Sequence, residues 1–231
     1  MRLRTARIRN RSIGLIQSAL LVAAFVWAAG TGLVGGLIDR LDAHPAVSVA
    51  ARADSQQIAA ARAHLNHVSV RPDGSMRGYD RDLFRHWSDP DGNGCDARED
   101  TLRRDGRALK PPRACRPNTG RWRDPYSGEL HTRARLLDVD HIVPLAEAWR
   151  SGAARWSAAK RERFANDPRN LLAVDRGLNR SKGDKGPEAW LPPARNFHPT
   201  YAVRWVQIKK AYGLRISFSE RSALRAALRN R

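Results

Sequence analysis

Acidic residues are scarce in this chain. There are 23 Asp and Glu against 42 Lys and Arg, a formal net charge of +19. That imbalance turns the search for a partner toward polyanions. The first 53 residues carry +5 of it, which leaves +14 on the remainder, so the globular part is basic in its own right. Cysteine is equally sparse: only Cys95 and Cys115 occur, and no Cys-x-x-Cys pair exists, which argues against a structural zinc site. In a chain exported past a membrane, two such cysteines read as a disulfide. No internal repeat is present, and low-complexity sequence is confined to the N-terminus. No zinc finger or helix-turn-helix appears either, so there is no separate module to read a long base sequence.

Charge is absent altogether from Ser12 to Ile38, a run rich in Leu, Val, Ala and Ile behind Arg2, Arg4, Arg7, Arg9 and Arg11. The run has no polar face, which argues against a buried soluble helix. It exceeds a secretory core of about 7–15 residues and reaches the roughly 20 needed to cross a bilayer. Cationic flanks stay cytoplasmic, placing the rest of the chain outside. Two readings stand: a retained signal-anchor, which the length favours, or a signal peptide cut near Ala29 or between Ala50 and Ala53. The expected localisation is extracytoplasmic, either membrane-anchored or secreted.

The expected organisation is therefore a cationic N-terminus and membrane or signal segment (1–38), a linker (39–53), the front of a globular domain with the disulfide (54–130), a catalytic core (131–195) and C-terminal helices (196–231). Asp54 or Ser55 caps a short helix through Ala59 to Leu65. Asp80 to Trp87 reads as a helix with Leu83, Phe84 and Trp87 on one face. Residues 106–130, rich in Gly, Pro and Arg, read as ordered loops anchored by Trp122 and Tyr126. Asp89-Pro90-Asp91-Gly92-Asn93-Gly94-Cys95 is a turn cluster. It also resembles a calcium loop, with Asp89, Asp91, Asn93, Gly94 and Asp100 at positions 1, 3, 5, 6 and 12, although Glu is the expected last ligand. Ser217 and Glu220 form a capping box for a final helix.

The chemistry concentrates later in the chain. A strand-like run, Leu136 to Pro144, ends in Asp140-His141. A second short strand, Leu171 to Val174, follows Asn170, and a polar helix from Asp175 to Lys182 carries Asn179 and closes at Gly183. Two strands and a helix with these residues suit hydrolysis of a phosphodiester. Neutral imidazole is the side chain best placed to deprotonate water near pH 7. A divalent ion neutralises charge on the leaving oxygen, and Asp and Asn supply the oxygen ligands a hard ion wants. Neighbouring strand residues point to opposite faces, so Asp140 and His141 can share a phosphate only if the strand turns at His141.

The segment Asp138-Val139-Asp140-His141-Ile142-Val143-Pro144, followed by Asn179-Arg180-Ser181-Lys182, resembles the HNH (His-Me finger) nuclease family, and closely the HNH domain of RNA-guided CRISPR nucleases. The wider chain, with Trp190-Leu191-Pro192-Pro193 after the core, is similar to small exported bacterial members. The resemblance implies an α+β fold with a ββα-metal core. It implies that His141 is the general base, that Asp140 and Asn179 ligate Mg²⁺ or Mn²⁺, and that Asn170 braces the loop orienting His141. Arg180, Lys182 and Lys185 are the expected phosphate contacts. Asp138, His86, His131 and His198 receive no role. The expected activity is a metal-dependent endonuclease of low sequence specificity. DNA is the favoured substrate, and no residue is identifiable as a reader of the 2′-hydroxyl that would single out RNA. The competing reading is an exported module that binds nucleic acid or another polyanion on an HNH scaffold without cutting it. No segment demands an obligate protein partner.

Overall fold

A computed structural model describes residues 52–110 and 115–229. The membrane or signal segment expected over 1–38 lies outside them. No described helix is long and apolar enough to cross a membrane.

The fold is mixed α and β. Helix α1 (Ser55–His67) starts at Asp54, which accepts from the Gln57 amide while the Gln57 side chain returns the bond to Asp54 N, so two orphan amides are satisfied reciprocally. Helix α2 (Ala97–Asp105) opens on the same device, from Asp96 and Glu99. Strands β1 (Arg107–Lys110), β2 (Thr119–Arg123) and β3 (Leu130–Arg133) form an antiparallel sheet in the order β1-β2-β3. This sheet replaces the loops expected over 106–130. Its inner face is built on Trp122, whose indole donates to Leu102 O. A side chain at Gly120 would meet the Trp122 ring within 2.9 Å, so only glycine lets the sheet close on it.

Strand β4 (Leu137–His141) pairs antiparallel with β5 (Leu171–Asp175) from Leu137↔Asp175 to His141↔Leu171. Alternation sorts the residues of this pair. Leu137, Val139, Leu171 and Ala173 pack with Leu102 and Trp122, whereas Leu172 and Val174 join the larger core. Between the strands run α3 (Leu145–Ser151) and α4 (Ala158–Ala165), the latter capped by Ser157. Helix α5 (Arg176–Lys182) follows β5 directly and stops at Gly183, whose φ of +56° suits glycine.

Helices α6 (His198–Tyr212) and α7 (Phe218–Ala227) complete the chain, α7 starting at the Ser217–Glu220 capping box. The main core joins Leu65 of α1, Phe84, Tyr126, Ile142, Phe164, Tyr201, Trp205 and Leu224. Burying each such side chain is worth roughly 1.5–3 kcal/mol. Phe84 and Tyr126 belong to the front segment and share this core, so that segment is structural to it.

The helix expected over Asp80 to Trp87 is only a 3₁₀ turn, Arg81–Phe84. Arg85 and Trp87 take positive φ of 40° and 65°, which ends the helix. Phe84 is buried and Leu83 is exposed, so the two do not share an inward face.

Candidate active site

Asp140, His141 and Asn179 line a single cleft of about 300 Å³ together with Tyr79, Arg81, Arg180 and Asp184. Strand β4 supplies the first two at its end, and α5 supplies Asn179 and Arg180. The backbone leaves strand geometry after His141. There Ile142 N donates to Asn170 O, and the Asn170 carboxamide accepts from Val143 N and donates to Val143 O. One fully buried amide thus fixes the chain two residues beyond the histidine.

His141 is buried, and its Nε2 lies 2.7 Å from the Ala165 carbonyl. A carbonyl only accepts, so Nε2 carries the proton and Nδ1 is left with the lone pair. The ring stacks on Trp87 at 5.4 Å with 28° between planes. Trp87 holds a left-handed backbone to make this contact, the kind of strain that surrounding structure must offset. Burial lowers the His141 pKa to about 3, with the Ala165 hydrogen bond opposing and the positive charges of Arg81 and Lys182 adding to the depression. The imidazole is therefore neutral at physiological pH.

Asp140 is held from two sides. Tyr126 Oη donates to Oδ2 at 2.5 Å, and Lys182 Nζ lies 2.8 Å from both carboxylate oxygens. Lys182 also donates to His141 O at 2.8 Å. Burial raises the Asp140 pKa and lowers that of Lys182, and each is the other's main compensating charge. This corrects the expectation for Lys182: it is wholly buried and cannot reach a phosphate from solvent. Its burial follows from its position in the last turn of α5, facing β4. Arg180 and Lys185 are exposed; Arg180 lines the cleft, and Lys185 donates to Ser181 O. Asn179 Nδ2 donates to Asp138 Oδ2 at 3.3 Å, which leaves its Oδ1 as an oxygen donor.

That donor set fits a hard divalent ion. Asp140 keeps lone pairs beyond those used by Tyr126 and Lys182, and Asn179 offers a neutral oxygen. Mg²⁺ commonly binds through one or two protein oxygens, with water and substrate phosphate completing the shell. A second cluster does not fit. Cys95 and Cys115 lie near Glu99, but the two sulfurs are bonded to each other, and Glu99 is engaged by Arg116 and the Asp96 amide. Neither sulfur is a thiolate ligand. In the Asp89–Asp100 loop, Asp89 accepts from the amides of Gly92, Asn93 and Gly94, and Asn93 Nδ2 donates to Asp91 and Asp100. These side chains satisfy one another and the turn.

Sequence spacing gave no hint of Tyr79, Arg81, Trp87 or Tyr126 at this site. They come from outside the motif, Tyr126 from the turn after β2 and the others from the segment before α2, and only folding brings them to β4.

Comparison with known proteins adds the family. Over 170 residues the chain is 43% identical to a protein of Arthroderma benhamiae named as an uncharacterized secreted protein, covering 73% of this chain and 83% of the relative. No solved structure matches. The family described as GmrSD restriction endonucleases, C-terminal domain, matches residues 110–226. These residues include β4, β5 and α5 with Asp140, His141 and Asn179, and the chain belongs to this family of restriction endonuclease domains.

Proposed function

We propose that the protein is a metal-dependent endonuclease of the HNH type that hydrolyses phosphodiester bonds of DNA. The observation that carries this reading is the His141 imidazole. It is neutral, fixed through Nε2 to Ala165 O, and shares one cleft with the oxygen donors Asp140 and Asn179. Nδ1 takes the proton of a water aimed at the phosphorus. The ring is kept in place by Trp87 and by the backbone that Asn170 clamps. Asp140 and Asn179 would hold Mg²⁺ or Mn²⁺, which supplies charge neutralisation at the leaving oxygen. Lys182 and Tyr126 hold the Asp140 carboxylate in a single orientation. Because Lys182 already neutralises much of the Asp140 charge, ion affinity is modest and rises when substrate phosphate is present. A secreted relative and the joined cysteines support an extracytoplasmic location.

Plasmid nicking tests the reading. The full chain with Mg²⁺ or Mn²⁺ is expected to convert supercoiled plasmid to open circles, EDTA to stop it, and His141→Ala to lose at least about 10²-fold in rate, the scale of one general base. If His141→Ala nicks as fast as the wild type, the hydrolase reading is lost. A wild type that binds DNA but does not nick it puts the alternative, a non-cutting nucleic-acid-binding module, in its place.

A further inference from the structure

The cleft contains more positive charge than its own carboxylates can match. Two acids line it, Asp140 and Asp184. Asp140 is taken by Lys182 and Tyr126, and Asp184 accepts from Arg150, which reaches both its side chain and its backbone carbonyl. Two guanidinium groups remain, Arg180 on α5 and Arg81 on the 3₁₀ turn. Both are exposed, and the Arg81 side chain has no hydrogen bond or ion pair among the described residues. A guanidinium on an anchored turn, with no ion-pair partner among the described residues and opening on a cleft of about 300 Å³, is a site for an anion.

The turn that carries Arg81 is held firmly in position. Asp80 caps it by accepting from Asp82 N. Phe84 is fully buried against Tyr79, Trp149 and Phe164. Three residues further on, Trp87 lies on the His141 ring. Tyr79, Arg81 and Trp87 are therefore three points at which one short segment meets the site. The side chain of Arg81 is exposed, but its backbone is not free to drift.

We propose that Arg81 binds a phosphate of the nucleic-acid strand lying in the cleft, working with Arg180 as a two-armed clamp. This rests on the nuclease reading for the identity of the phosphate. The guanidinium fork matches non-bridging phosphate oxygens with two parallel donors, which a lysine cannot reproduce. Arg81 is a substrate contact supplied by the front segment, outside the strand-strand-helix unit that carries the motif.

The test is binding and cleavage by the full chain carrying Arg81→Ala, Arg81→Lys or, as a charge-matched control away from the cleft, Arg221→Ala. Anisotropy of a fluorescent duplex in EDTA reads affinity without cleavage. Arg81→Ala is expected to weaken binding roughly tenfold and to flatten the slope of log affinity against log salt by about one unit, as one lost phosphate contact does. Arg81→Lys recovers part of the affinity, Arg221→Ala stays within about twofold of wild type, and all three melt with the wild type. In Mg²⁺, kcat/KM for Arg81→Ala falls more than its affinity does if the same phosphate is the one cut. Arg81→Ala binding as tightly as Arg221→Ala overturns the proposal. A wild type that binds yet never cuts ends the nuclease reading alone, and the anisotropy comparison still decides Arg81.

Discussion

Lys182 is the cation most tightly bound into the site, because it bonds both to the Asp140 carboxylate and to the carbonyl of His141. Lys182→Met leaves a buried carboxylate with only the Tyr126 hydroxyl, and removing one partner of such a pair costs about 3–5 kcal/mol. Urea denaturation is expected to report that loss, and Asp140→Asn in the same background to return much of it. His141 gives a pH signature. Burial holds its pKa at about 3 in the folded protein against 6.5 ordinarily. Between those values the unfolded chain takes up a proton that the folded one refuses. Stability from this group is whole above 6.5 and falls as pH drops toward 3, by up to about 1.4 kcal/mol per pH unit. Denaturant midpoints at pH 7.5 and 5 should diverge more for the wild type than for His141→Asn; equal slopes would count against the burial argument.

At the scale of elements, the Cys95–Cys115 bond closes a segment of 20 residues that spans α2 and β1. Its reduction is expected to cost about 3 kcal/mol, mostly by freeing the unfolded chain, read as a fall in melting temperature with dithiothreitol that Cys95→Ser reproduces without it. Element by element, legibility followed pattern strength. Strand β4 announces itself by the alternation of Leu137 and Val139 with Asp138 and Asp140, β5 by the apolar run Leu171 to Val174, and α1 and α7 by their capping residues. The three-stranded sheet is not legible in the sequence because β2, Thr-Gly-Arg-Trp-Arg, carries one apolar residue and shows no alternation of apolar and polar. The 80–87 segment misled in the opposite direction. Its apolar residues suggested a helix, but Trp87 is drawn into a left-handed conformation against His141, and that tertiary contact outweighs local propensity.

Across the whole molecule, net positive charge predicts that DNA affinity falls steeply between 50 and 200 mM salt, by about 10³-fold or more if six phosphates are neutralised. Filter binding over that range checks it; a flat response would argue against a backbone-tracking surface. The motif residues could be found in the sequence because Asp140 and His141 end one strand, Asn170 directly precedes the next, and Asn179 sits on the helix after it. Arg81, Trp87 and Tyr126 could not, since no spacing rule links them to β4 and only the shared core brings them there. The Tyr126 hydroxyl on Asp140 has a practical corollary. A fragment trimmed to 131–195 would keep every motif letter yet lose the aromatic plug beneath the Asp140 carboxylate. Anyone excising the motif unit alone from this chain should expect an unstable piece unless the upstream hairpin travels with it.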